Sequence, residues 1–391
     1  MADPINQGPI IQGWCPGALR PMMSGDGLVV RIRPREGRVS GAQLAKIARL
    51  SLAHGNGLID LSNRANLQLR GVTEASHGPL IEALRAVGLV DADEAIERRR
   101  NIVVSPLWAQ DDGTLRVAEQ LAALLEVAED LDLPSKFGFC VDLAGPAVLR
   151  DCAADIRIER DGAAAVIRPD GLMRGVHVPL EKAAETALRL AYWFGMTGGA
   201  SEGRGRMAAH VKRSDVALPA AFSHPVTPWD KMPAPAPGAY DLGYFIGFAF
   251  GQIHAETLTE LAGLAEFIRI TPWQMLLLEG VSHLPKIEGL ITEATDPMRR
   301  VRACTGAPNC PQGLQPTRDL ARALAPQVPE GKMLHVSGCA KGCAHPAPAS
   351  AVLVAQKGGF DLVQNGRASD TPCKTALSAE TLIAKDEIWG A

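Results

Sequence analysis

Four cysteines near the C-terminal end form the densest chemistry in the chain. Residues 303–311 read ACTGAPNCP and residues 337–346 read SGCAKGCAHP. Cys304 and Cys310 thus share one loop as Cys-x5-Cys, and Cys339 and Cys343 share another as Cys-x3-Cys. Thiolates from two loops can grip one [4Fe-4S] cubane, each sulfur taking a different iron. Gly306, Ala307, Gly338, Ala340 and Gly342 stand between them. Residues this small let backbone N–H groups approach sulfur, which is one lever on cluster potential. Arg300, Arg302 and Lys341 would offset part of the negative charge of four thiolates. Two other readings stand beside the cluster. A structural zinc site usually spaces its cysteine pairs more tightly than x5, and free cysteines are common in cores. Of the remaining four, Cys140 and Cys152 fall in strand-like segments and read as core, Cys373 lies near the end, and Cys15 in GWCPG is open.

The elements that must carry these residues repeat. Residues 28–33 (LVVRIR) alternate like a half-buried strand. Ser40 is a plausible N-cap for a helix over about 41–53, with Leu44, Ile47, Ala48 and Leu52 on its apolar face and Gly55 as its stop. Residues 58–70 return as a strand pair or a kinked strand, and a helix follows at about 77–87. The same order recurs, with a strand over 242–250 and a helix over 256–266. Residues 268–281 (IRITPWQMLLLEGV) then echo 59–72 (IDLSNRANLQLRGV), with Trp273 where Arg64 stands. An internal duplication of this kind decides the fold class more than any single element. The strand-rich stretches 136–171 and 332–366 also correspond, and the Pro/Ala-rich run 215–240 reads as an extended linker.

Composition narrows the function. The chain has 391 residues, 47% of them hydrophobic, which suffices for a sizeable core. Its formal net charge is −3 and aromatic residues make up 5%, a poor match to a nucleic-acid binder. No run approaches the roughly 18 apolar residues of a spanning helix, and residues 1–10 lack a leader pattern. A cytoplasmic protein with reduced thiols and no membrane partner is expected.

The Cys-x5-Cys and Cys-x3-Cys-x-x-Pro pattern behind a duplicated half-domain resembles the sulfite and nitrite reductase family, over about residues 15–366. The resemblance implies an α+β fold: duplicated ferredoxin-like half-domains plus two α/β sheet domains, related by a pseudo-two-fold repeat. The expected bounds are 15–90 and 241–295 for the half-domains, 95–214 for the first α/β domain, 215–240 for the linker and 296–391 for the cluster-binding domain. The family sets a [4Fe-4S] cluster beside a tetrapyrrole. Arg64 in SNRANLQLRG, Arg100 in RRNIVVSP and Lys136 in LPSKFGF match its basic positions. The family's second lysine is replaced by Gly138. Proton delivery to a small anion draws on such paired charge, so this loss argues against sulfite or nitrite reduction.

The run CPGALRPMMSGDGLVVRIRP (15–34), with its Cys-Pro-Gly and Gly-Asp-Gly, resembles the precorrin-3B synthase branch of the family. That resemblance implies an O2-dependent monooxygenase of aerobic cobalamin biosynthesis. It would hydroxylate precorrin-3A at C20 and close a γ-lactone with the ring A acetate. The electron donor would be external, an NADH-dependent reductase or a ferredoxin-like protein, since no G-x-G-x-x-G follows a strand here. A mononuclear non-haem iron is a further implied cofactor. His254, His335 and His345 sit in suggestive contexts, but no facial-triad spacing singles out ligands. Precorrin-3A carries many carboxylates, and Arg31, Arg33, Arg64, Arg100, Arg204 and Arg206, with Lys136, are the candidates to receive them. A sirohaem-dependent nitrite or sulfite reductase is the runner-up. A non-enzymatic iron–sulfur electron carrier is the alternative from another class.

Overall fold

The computed structural model describes residues 15–228, 230–384 and 387–389; residues 1–10, read above as lacking a leader, lie outside these. The first half-domain comprises β1 (Met22–Ser24), β2 (Gly27–Ile32), β3 (Arg38–Ser40), α1 (Gly41–His54), β4 (Leu58–Leu61), β5 (Leu67–Val72) and α2 (Glu74–Arg85). Ser40 starts α1 through a reciprocal cap. Its Oγ accepts from Gln43 N at 3.1 Å, and Gln43 Oε1 accepts from Ser40 N at 2.9 Å. Leu44, Ile47 and Ala48 are buried along one side of the helix, and Gly55 ends it.

The first α/β unit follows: α3 (Glu94–Arg99), β6 (Ile102–Val104), α4 (Thr114–Val127), β7 (Phe139–Asp142), β8 (Ile156–Asp161), β9 (Ala164–Pro169), β10 (Arg174–Val178), α5 (Leu180–Met196), α6 (Met207–His210) and β11 (His224–Pro225). The second half-domain holds β12 (Gly238–Tyr240), β13 (Gly243–Phe248), β14 (Gln252–His254), α7 (Ala255–Ala262), β15 (Phe267–Ile270), β16 (Met275–Glu279) and β17 (Leu290–Ile291). The last unit holds β18 (Val301–Ala303), α8 (Arg318–Leu324), β19 (Leu334–Ser337), β20 (Ala349–Gln356), β21 (Gly359–Gly366), β22 (Lys374–Leu377) and α9 (Ala379–Ala384).

The half-domains exchange one strand each. Their sheets run β1-β2-β5-β4-β14 and β12-β13-β16-β15-β3. Thus β14 completes the first sheet with Ile253 opposite Ile59, and β3 completes the second with Val39 opposite Ile268. Helices α1 and α7 pack together over a single core shared by both halves. The turn between the last two long strands is built twice in the same way. Ser62 Oγ accepts from the N–H groups of Arg64 and Asn66, and Thr271 Oγ1 accepts from those of Trp273 and Met275. Ala65 and Gln274 both take positive φ there, 53° and 60°. The equivalence of Arg64 and Trp273 is therefore conformational as well as sequential.

Each α/β unit begins with three parallel strands and continues antiparallel: β6-β7-β8 then β9 and β10, and β18-β19-β20 then β21 and β22. Helix α4 crosses between β6 and β7, and α8 between β18 and β19. Open α/β sheets place ligands beyond the carboxyl ends of such strands. Among the described residues no helix is long and apolar enough to cross a membrane.

Candidate cluster and tetrapyrrole site

The cysteine pairs leave the carboxyl ends of β18 and β19, so parallel pairing brings their loops side by side. Gly338 N donates to Cys304 Sγ at 3.1 Å, Leu314 N donates to the Gly338 carbonyl at 2.9 Å, and Thr317 Oγ1 donates to the Cys304 carbonyl at 2.6 Å. A Cβ on Gly338 would stand 3.3 Å from Cys304 Sγ, and one on Gly306, whose φ is +65°, would stand 2.7 Å from Thr317 Oγ1. The loops close up only because these positions are glycine. Desolvation holds the Cys339 and Cys343 thiols above their usual range, and the neighbouring thiols, Cys304 and Cys310 among them, push both further up. Cys343 keeps an exposed surface, yet its thiol is crowded by protein. Thiols gathered in a glycine cradle suit a positively charged metal–sulfide core. Among the described residues no three His, Cys, Asp or Glu gather closely enough to ligate a single ion. A cubane, unlike a single ion, spreads its four sulfurs over four irons.

A cavity of about 780 Å³ opens beside these loops, with Cys304 and Cys343 in its wall. Both half-domains contribute to it: Arg31, Asp60 and Arg70 from the first, Phe248, Phe250 and Trp273 from the second. The cluster unit adds Arg299, Arg302 and Arg318, and the proline-rich linker lays Ala234, Pro235 and Pro237 along one side. Apolar and aromatic side chains thus face a ring of guanidinium groups, with Asp60 and Asp151 as the carboxylates in the lining. Arg31 Nε and Nη2 both donate to Gln68 Oε1, at 3.0 and 2.6 Å. Burial lowers the pKa of Arg31, Arg302 and Arg318 from its usual value. Arg302 donates to the backbone carbonyls of Arg299 and Val301.

The sequence candidates divide between this wall and the scaffold behind it. Arg31 faces the cavity. Arg64 is buried outside the lining and donates to the Lys136 carbonyl at 2.9 Å. Lys136 is partly buried beside it and is also absent from the lining. Arg100 grips Asp91 with two bonds of 2.7 and 2.9 Å. Arg33 donates to the Glu97 carbonyl, and burial pulls its pKa down to about 10. Arg206 is held by Asp155 at 2.9 Å, and exposed Arg204 closes a small turn with Ser201. The Cys-Pro-Gly run wraps Glu97, whose carboxylate accepts from Ala18 N at 2.6 Å and Leu19 N at 3.2 Å. Cys15 ends up beside Arg31 and Arg64. A Cβ at Gly138 would meet Asn101, 2.9 Å from its Nδ2 and 3.2 Å from its carbonyl oxygen, so the lysine of the family pattern would have to displace Asn101.

Arg70, Arg299, Arg302 and Arg318 also line the cavity and are not among those candidates for carboxylate binding. Arg299 and Arg302 lie a few residues before Cys304, where a basic residue reads as a counter-charge to thiolates. Arg318 lies at the start of a short helix that carries no pattern of its own.

Residues 20–87 match the nitrite/sulfite reductase ferredoxin-like half domain family. A precorrin-3B synthase from Sinorhizobium sp is 28% identical over 396 residues, covering 92% of this chain and 84% of that protein. A ferredoxin–nitrite reductase from Synechococcus elongatus is 24% identical, covering 86% and 78%. The solved structure of the NirA protein of Mycobacterium tuberculosis superposes with a TM-score of 0.62 at 19% identity, covering 91% of this chain and 79% of that one, and so shares the fold. The chain is thus similar to sulfite and nitrite reductase family proteins along most of its length, and residues 20–87 carry the half domain of that family.

Proposed function

We propose that this chain is a member of the sulfite and nitrite reductase family and an O2-dependent monooxygenase acting on precorrin-3A, hydroxylating C20 and closing the γ-lactone with the ring A acetate. One observation carries the reading: two of the four cluster thiols stand in the wall of a cavity ringed by arginines. A polycarboxylate macrocycle needs such a ring, and an electron-carrier reading leaves it without a use. The similarity to a precorrin-3B synthase along nearly the whole chain agrees with it.

Arg31, Arg299, Arg302 and Arg318 would receive substrate carboxylates, each desolvated charge-assisted bond contributing about 1.5–3 kcal/mol. Phe248, Phe250 and Trp273 would lie against the ring system, and the Pro235–Pro237 strap would keep water from that side. Cys304, Cys310, Cys339 and Cys343 would hold a [4Fe-4S] cluster, which supplies single-electron transfer when bound. The reaction balances with one oxygen atom entering the macrocycle and the other leaving as water. It consumes two electrons and two protons, the electrons coming from an external NADH-dependent reductase or ferredoxin-like donor.

The test is anaerobic purification followed by iron, sulfide and absorption analysis, then incubation with precorrin-3A, a reductant and ¹⁸O2. Four irons with matching sulfide, no haem band and a product heavier by one labelled oxygen are expected. A sirohaem band with turnover of nitrite or sulfite and no label in the tetrapyrrole overturns the proposal. A cluster without any tetrapyrrole binding reduces the chain to a carrier.

A further inference from the structure

The Gly25-Asp26-Gly27 run has no part in the function described so far, although it lies against the cluster loop. It forms the tip between β1 and β2, and Gly27 takes a φ of +117° to make the turn. A Cβ on Gly25 would fall 2.7 Å from the carbonyl carbon of Asn309 and 3.0 Å from the Pro308 oxygen. The tip is thus pressed directly on the backbone next to Cys310. Ser24 Oγ donates to the Asn309 carbonyl at 3.3 Å and accepts from Arg70 Nη2 at 3.0 Å.

Arg70 stands at the centre of this contact. It holds Asp26 with two bonds of 3.0 and 2.6 Å, and both side chains are more than nine-tenths buried. Its Nη1 lies 3.6 Å from Asp60, whose other oxygen is 4.0 Å from Arg318. Arg318 begins the helix that follows the cluster loop, and Thr317 before it bonds the Cys304 carbonyl. The loop from Cys304 to Arg318 is therefore tied to the first half-domain at two points, Asn309 and Arg318. Both ties lead back to Arg70, which also lines the cavity.

We propose that the Gly25-Asp26-Gly27 tip is a clasp, with Ser24 and Arg70 as positioning residues that fix the cluster loop against the cavity wall. The inference rests on the cluster reading above. A loop held at Asn309 presents Cys310 and its neighbouring backbone N–H groups to the cluster in one geometry. Released there, it samples several. One lost hydrogen bond of about 1 kcal/mol corresponds to roughly a fivefold change in an equilibrium.

Ser24→Ala and Ser24→Thr, prepared as full-length holoprotein, test this through loss of iron to a ferrous chelator and the electron paramagnetic spectrum of the reduced cluster. Ser24→Ala should lose iron about fivefold faster and broaden the spectrum, while Ser24→Thr, which keeps the hydroxyl, should behave as the parent. Arg70→Lys should do the same as Ser24→Ala, because the shorter chain and point-like ammonium lack the planar fork that spans Asp26 and Ser24. Equal chelation rates and spectra in parent and Ser24→Ala overturn the clasp while leaving the cluster reading intact. A parent protein that assembles no cluster overturns both.

Discussion

After β6 the chain runs Ser105-Pro106-Leu107-Trp108, and after β18 it runs Cys304-Thr305-Gly306-Ala307. These stretches leave equivalent strands of the two α/β sheets, each toward one half-domain. Around the first, Val103, Cys140, Val148, Leu149 and Cys152 form a buried apolar cluster, with Leu107 and Trp273 packed on it. Trp108 stacks on Arg269 with the guanidinium 3.5 Å from its ring centre, and Arg269 donates to the carbonyls of Pro106 and Trp108 at 2.8 Å. Around the second, glycines and thiols face an open cavity.

The charges beneath the two places are reversed. Asp60 and Arg70 on β4 and β5 occupy the strand positions that Arg269 and Glu279 hold on β15 and β16. Bulky side chains and a stacked cation seal one copy of the frame, while glycines open the other. One scaffold thus carries a plug and a socket, and side-chain volume at a few loop positions decides which is which.

The largest effect should come from the thiols. Cys343→Ser should abolish the cluster, read as loss of iron, sulfide and the paramagnetic signal. Cys152→Ala, on the matching loop of the sealed side, should keep a full complement of iron. Parent-like iron content in Cys343→Ser, or its loss in Cys152→Ala, would break the contrast.

A smaller pair of effects separates the cations. Arg269→Ala should destabilise the fold by about 2 kcal/mol, because the buried Pro106 and Trp108 carbonyls lose their donor while Glu279 keeps only Arg38. Arg318→Ala should leave thermal stability nearly unchanged and weaken macrocycle binding about tenfold, the loss of one charge-assisted bond. Calorimetry and tetrapyrrole titration read the two separately, and the opposite pattern would place the ligand on the sealed side.

The smallest effect concerns Asp142, buried at the end of β7. Burial pushes its pKa up to about 6, although the N–H groups of Val148 and Leu149, each at 2.8 Å, pull it down. The folded state then binds the proton more tightly than the unfolded one. This contribution favours folding at low pH and is lost as pH rises from about 4 through about 6. Asp142→Asn should remove on the order of 2 kcal/mol from the difference in stability between pH 4 and pH 7. An unchanged pH profile would show that another group sets it.

Much of this arrangement was legible in the sequence. The glycines between the paired cysteines announced closely packed loops, Ser40 announced α1, and the echo of 59–72 in 268–281 announced the duplication. Strands β3 and β14 were not legible, since three residues carry no usable period. Nor could sequence sort the arginines. Arg33, Arg100 and Arg206 looked like ligands for a polyacid, and each is engaged by a buried carbonyl or carboxylate of the protein itself. Arginine type and spacing are the same in both roles, and only the partner tells them apart.

The reciprocal borders of the two half-domains bear on how the chain could be divided. Cut within its proline-rich stretch, each fragment would lack the outermost strand of its own sheet and carry one that belongs to the other. Neither would hide its apolar edge alone, so the pieces should be recovered as a pair. Two copies of a half-length ancestor could have met the same need as an isologous dimer, each lending the other its missing margin.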